Sequence, residues 1–151
     1  MPRYLYWGLR SRSELESVLA GKIERARLER PGDGVDFAVI VRATGTLAGS
    51  VSLTWPDSEH RQGEIGFILN PAHHGNGYAT EAARALLRVA FEELHLHRVC
   101  GRVDARNTAS ARVLERLGMR REAHLVENEL VKGEWTDEAI YALLAREWTA
   151  R

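Results

Sequence analysis

The segment that most restricts the fold runs from an apolar strand, through a glycine-bearing loop, into a long amphipathic helix. Glu64-Ile65-Gly66-Phe67-Ile68-Leu69 reads as the strand and Asn70 to Gly77 as the loop, with Pro71, Gly75 and Gly77. Tyr78 to His95 reads as the helix. Ala82, Leu86 and Val89 fall on one stripe, and Ala83, Leu87, Ala90 and Leu94 on the next. So broad an apolar face demands a sheet to cover it. Glycines at a helix entry let the backbone come close to a ligand. The unsatisfied N–H groups of the first turn and the positive end of the helix dipole favour an anion there. A phosphate or pyrophosphate suits such a loop, and a turn that needs glycine only for its own geometry is the plainer alternative.

The remaining elements follow from periodicity and punctuation. Residues 11–29 read as a helix, because Leu15, Val18, Leu19, Ile23 and Ala26 keep a 3.6-residue period. Ser11 with Glu14, and Ser13 with Glu16, have capping-box spacing, and Pro31-Gly32-Asp33-Gly34 stops the run. Phe37–Val41 and Leu47–Trp55 flank a turn at Ala43-Thr44-Gly45-Thr46 and read as a hairpin. Arg98–Val103 reads as a fourth strand. Asn107 or Thr108 caps a helix to Leu117, with Gly118 as its left-handed terminator. Two strands, about Ala123–Val131 and Trp135–Leu144, flank Lys132-Gly133-Glu134. The expected fold is α/β, with helices flanking a mixed, largely antiparallel central sheet, and residues 1–151 as a single domain.

Charge and cysteine content remove several functions. Among 151 residues, 21 Lys+Arg balance 21 Asp+Glu. No basic surplus is present to attract a nucleic-acid backbone, so no nucleic-acid partner is expected. The basic residues Arg25, Arg27 and Arg30 interleave with Glu24 and Glu29, as on a solvated helix face. A lone Cys100 makes neither an intrachain disulfide nor a cysteine zinc site. His95 and His97 lack a companion carboxylate cluster, so no metal is expected. No apolar run is long enough to span a membrane, and Met1 to Trp7 lacks the apolar core of a signal peptide. The expected location is intracellular and cytoplasmic, without a membrane partner.

The loop narrows the ligand. It has no Gly-Lys-Ser/Thr of a P-loop, and a dinucleotide fingerprint would place a third glycine where Thr80 stands. Asp104, at the end of the next strand, is the one feature that favours a dinucleotide.

Pro71-x-x-His74-Gly75-x-Gly77-Tyr78-Ala79-Thr80-Glu81-Ala82 resembles the acetyl-CoA loop of the GNAT superfamily of N-acetyltransferases. That loop reads Gln/Arg-x-x-Gly-x-Gly/Ala, met here by His74, Gly77 and Ala79. Asn107-x-x-Ser110-x-x-Val113-Leu114-Glu115-x-Leu117-Gly118-Met119 and Gly133-Glu134-Trp135-x-Asp137 resemble further blocks of its ribosomal-protein N-terminal acetyltransferase branch. The resemblance implies transfer of acetyl from acetyl-CoA to a primary amine, on a protein N-terminus or a small molecule. It implies direct transfer in a ternary complex. It places the pantetheine arm along Ile68, Leu69 and Asn70, and the pyrophosphate on His74, Gly75, Asn76, Gly77, Tyr78, Ala79 and Thr80. Asn107 would bond the arm. Glu64 would be the general base, and Ser110 would stand near the sulfur as a proton donor or a group that orients water.

Three departures accompany the resemblance. His74 replaces Gln/Arg. Leu114 stands where many relatives carry a tyrosine acid. The family's first strand and most of its first helix have no counterpart, which would leave an apolar sheet edge suited to a homodimer. An acyl-CoA-binding module without turnover, a dinucleotide binder and a partner-binding structural domain are the competing expectations. Tyr4, Tyr6, Trp7 and Trp135 border the acceptor groove in the family, and most of them read here as core anchors.

Overall fold

The computed structural model describes residues 4–24, 26–57 and 59–148. Met1 to Arg3, Arg25 and the last three residues lie outside the described residues, as does Ser58. The elements are α1 (Arg12–Glu24), β1 (Gly34–Val41), β2 (Thr46–Asp57), β3 (Gln62–Leu69), α2 (Tyr78–Arg88), β4 (Arg98–Asp104), α3 (Thr108–Arg116), β5 (Arg120–Val131) and β6 (Glu134–Leu144). They form a six-stranded sheet of order β1-β2-β3-β4-β6-β5. Neighbours pair antiparallel except β3 with β4. The expected fold class is therefore found.

The core lies between the sheet and α2 with α3. Leu53, Leu87, Leu96, Val99 and Leu114 are fully buried. Ala79, Ala83, Leu86 and Leu87 supply the inward face of α2, as the two apolar stripes require. The expected helix to His95 is not uniformly α. Its last turn widens into a π-helical turn over Val89–Glu93, which buries Ala90 and Phe91. Leu96 N–H then bonds Ala90 O at 2.9 Å, and His95 takes a positive φ of 52° to release the chain into β4.

Helix α1 departs most from its pattern. Its start is as read: Ser11 N–H donates to Glu14 Oε2 at 2.6 Å, and Glu14 N–H returns to Ser11 Oγ. It ends at Glu24, however, because Ala26 already forms a parallel bridge with Gly34. Leu15, Leu19 and Ile23 keep 52%, 57% and 67% of their surface exposed. Periodicity specifies an apolar stripe but not a neighbour to receive it. On edge strand β1, Phe37 and Ile40 are likewise exposed. The aromatic residues expected as core anchors are also corrected: Tyr6, Trp7 and Trp135 are exposed. No helix among the described residues is long and apolar enough to cross a membrane.

Candidate active site

The site begins where two strands part. β3 and β4 pair through Gln62–Arg98, Gly63–Val99 and Glu64–Cys100, and then run on to Leu69 and Asp104 without pairing to each other. The side of β3 that faces β4 thus loses its ladder partner, and a wedge opens in the sheet. The N-terminus of α3 approaches this wedge. Gly101 lets the body of α3 pack closely on β4, since a Cβ there would sit 2.8 Å from Leu114 Cδ2. Leu114 itself is wholly buried, an apolar contact where the family's tyrosine would stand.

Two clefts meet at the wedge. The first, about 700 Å³, is lined by Leu69 and Pro71, by His74, Gly75 and Gly77, and by the first residues of α2, Tyr78, Ala79 and Thr80. Arg112 and Arg116 of α3 complete it. The second, about 580 Å³, is lined by Tyr6, Trp7, Ser52, Glu64, Arg102, Glu129 and Glu138. Tyr4, Leu5, Phe67, Ile68, Asn107 and Ser110 line both.

In the first cleft the polar side chains of the loop shape the loop itself. Asn70 Oδ1 accepts from Ala72 N–H at 3.0 Å and caps a short 3-10 turn over Pro71–His73. His74 Nε2 lies 3.1 Å from Leu69 O, folded back on its own strand. Asn76 Nδ2 donates to His73 O and His74 O, at 3.2 Å each. Gly75 and Gly77 have φ of 81° and 79°, the left-handed region that glycine enters without strain. Gly77 caps α2 without any side chain, and Glu81 N–H makes its bond to Gly77 O at 3.0 Å. The earlier N–H groups of that turn have no intrahelical acceptor. The donor set for a phosphate is thus main chain, with Arg112 and Arg116 one turn apart beside it. Asn70 and Asn76 are not among the residues lining either cleft.

The second cleft is organised by charge. Arg102 of β4 makes a two-pronged pair with Glu138 of β6, Nε to Oε1 at 2.8 Å and Nη2 to Oε2 at 2.6 Å. Glu138 is only 1% exposed, and Asn128 Nδ2 adds a bond to its Oε2 at 2.9 Å. Glu64 stands on β3 at the last residue pair before the strands part. Burial pushes its carboxyl above the ordinary range; Arg102 opposes this, and Glu138 and Glu129 add to it. Burial also pushes the Tyr6 phenol up, helped by Glu129. Cys100, opposite Glu64, has its thiol raised by burial and then by Glu64, the reverse of what activates a nucleophile.

Asn107 caps α3 through Oδ1, which accepts from Ser110 N–H at 3.1 Å. The cap brings both residues to the line where the clefts meet. Asp104 is held by Arg106, with Nη2 to Oδ2 at 2.8 Å and Nε to Oδ1 at 3.0 Å. That engagement and the mostly antiparallel sheet remove the ground for a dinucleotide site. No cluster of metal-ligating side chains occurs among the described residues. Sequence reasoning missed Arg102, Glu129 and Glu138. Their signal in the sequence was weak, because their strands carry several other charged residues and the pattern alone does not show which of them turn inward. It also missed Arg112 and Arg116.

The comparisons agree with this geometry. The family model for the acetyltransferase (GNAT) domain matches residues 1–120. The uncharacterized N-acetyltransferase YnaD of Bacillus subtilis is 39% identical over 118 residues, covering 78% of this chain and 69% of YnaD. A GNAT acetyltransferase structure from Bacillus anthracis superposes with a TM-score of 0.84 at 32% identity, over 96% of this chain and 81% of that one. The spermidine N-acetyltransferase of Vibrio cholerae, solved with CoA and spermine, superposes with a TM-score of 0.78 at 27% identity, over 95% of this chain and 82% of that one.

Proposed function

The chain belongs to the GNAT family of acetyltransferases, and we propose that it moves acetyl from acetyl-CoA directly to a cationic primary amine in the wedge between β3 and β4. The observation that carries this reading is the meeting of a main-chain anion cleft with a carboxylate-lined cleft at Ile68, Asn107 and Ser110.

The main-chain donors around Gly75–Thr80 hold the pyrophosphate, and Arg112 and Arg116 add charge beside it. The unladdered edge of Ile68 and Leu69 offers its main chain to the pantetheine arm, and Asn107 adds its amide. Asn70, His74 and Asn76 serve this cleft indirectly, by fixing the loop. An N–H of the β3 edge near Ile68 polarises the thioester carbonyl as its oxygen gains charge. Glu64 takes the proton that the ammonium must lose before it can attack, directly or through one water. Its half-buried carboxylate suits this work, because a raised pKa improves it as a base near neutral pH. Ser110 stands where the arm enters and orients the sulfur end. No covalent acyl-enzyme is required, since the thiol of Cys100 is deactivated by its surroundings.

A cationic acceptor fits the second cleft. Among its acids, Glu138 is neutralised by Arg102, while Glu64 and Glu129 face each other's field. The crystallised Vibrio cholerae relative binds spermine, a polycation, which supports the same preference. A protein N-terminus is the alternative acceptor of the same charge.

Thermal unfolding with acetyl-CoA, CoA and NAD tests the cleft. At about 100 times its dissociation constant a ligand adds about 2.7 kcal/mol to the folded state. For a chain of this length the midpoint should rise by roughly 5–10 °C with either CoA species and not with NAD. Thiol release with a panel of diamines, polyamines and N-terminal peptides then tests turnover. A midpoint that responds to NAD alone would defeat the reading.

A further inference from the structure

The departure of acetyl leaves a thiolate that is better released with a proton, and the position used for this in many relatives is here the buried, apolar Leu114. The proton must come from a group in reach of both the donor and the acceptor. Six residues line both clefts, and three of their side chains carry polar hydrogens: Tyr4, Asn107 and Ser110. An amide is no acid, and an aliphatic alcohol is a much poorer proton donor than a phenol.

We infer that Tyr4 is the catalytic acid of this enzyme, placed at the junction by the chain segment that precedes α1. This inference rests on the acetyl-transfer reading above. The segment is tied to the β4 side of the wedge. The Tyr4 hydroxyl donates to Arg106 O at 3.3 Å, on the loop that ends in Asn107. Two residues on, Tyr6 lines the second cleft together with Glu129 of β5. Tyr4 and Leu5 therefore form the partition between the clefts. The bond to Arg106 O is longer than the usual 2.5–3.0 Å of an O–H···O bond, so a nearby thiolate competes for that proton with advantage.

The step balances. The amine nitrogen forms its bond to the acetyl carbon, and the carbon–sulfur bond breaks. The sulfur takes the proton of the Tyr4 hydroxyl; of the two protons that the ammonium nitrogen sheds on becoming an amide, Glu64 takes the first before attack and solvent takes the second as the carbon–sulfur bond breaks. Solvent then returns one proton to the Tyr4 oxygen and removes one from Glu64, so no other reactant is needed.

Tyr4→Phe is the test, since it keeps the ring that separates the clefts and removes only the hydroxyl. With an accepted amine, kcat should fall by at least tenfold while the KM for acetyl-CoA stays within threefold. The rise in unfolding midpoint given by CoA should match that of the unaltered protein. A kcat within threefold would overturn the assignment of Tyr4 alone. So would a loss confined to KM or accompanied by a lost CoA response, because either marks a packing role. If the unaltered protein releases thiol with no amine at all, the acetyl-transfer reading fails and carries this one with it.

Discussion

At the scale of single residues, the wedge concentrates charge where a folded protein would ordinarily avoid it. Glu64 is half-buried beside Glu129 and Glu138, and Arg102 only partly offsets them. A carboxyl raised in the folded state stabilises the fold while protonated, below its unfolded pKa, and loses that contribution as pH rises through the folded value. At neutral pH the ionised Glu64 is therefore a cost to stability. Glu64→Gln should unfold at a higher temperature than the parent at pH 7, while kcat/KM drops by about 100-fold. The acid limb of the parent's pH–rate profile should lie above the ordinary carboxylate range and vanish in the variant. A variant with full activity at every pH would show that some other group accepts the proton. Single residues also mark where sequence reading was strong and where it was weak. The capping oxygen of Asn107 and the left-handed Gly118 are local features, fixed by a few neighbouring φ/ψ values, and they were legible. The turning of His74 back onto Leu69 O was not, because a ring beside a glycine loop can face a ligand or its own main chain with the same sequence.

At the scale of elements, strand β3 depends on its neighbours for the shape of its free edge. Gly49 of β2 pairs opposite Leu69. A Cβ there would collide with the carbonyl oxygen of Ile68, a main-chain atom that cannot swing aside. Gly75, by contrast, has nothing within 4 Å of where its Cβ would be, and its cost is confined to φ. Gly49→Ala should therefore destabilise by about 3 kcal/mol and abolish turnover by moving Ile68, whereas Gly75→Ala should cost about 1 kcal/mol. Chemical denaturation of the two variants, with thiol release measured alongside, checks the order. The elements themselves were mostly legible, because periods of 2 and 3.6 mark strands and helices. Partnership was not. The stripe on α1 has the spacing of a packed face, yet Leu15, Leu19 and Ile23 are exposed. Nor does any periodicity announce that β3 and β4 pair through Glu64 and Cys100 and then separate. Tyr4 was read as a possible border of the acceptor groove, but its approach to Arg106, 102 positions along the chain, has no local signature.

At the scale of the whole molecule, many carboxylates behave oppositely to Glu64. The Glu127 N–H and then His124 hold Asp137 below the ordinary range, Arg98 does so for Glu122, and Arg106 for Asp104. A lowered carboxyl contributes stability that is present above its unfolded pKa and is lost as pH falls through the folded value. These pairs should lower the unfolding midpoint below about pH 4, the ordinary carboxylate range, after the protonation of Glu64 has raised it slightly on the way down from neutral pH. A midpoint that rose on acidification below that range would contradict these pairings. The parting of β3 and β4 also has a mechanical meaning. It divides the sheet into β1-β2-β3 and β4-β6-β5, stitched together by the pairs from Gln62–Arg98 to Glu64–Cys100 and by the contact of α2, packed on the first half, with α3, packed on the second. The seam of least cohesion is therefore the seam proposed for the substrates. Whatever fills it acts as mortar between two half-sheets, so occupancy and rigidity rise together, and the emptied enzyme is the looser one just when product must leave.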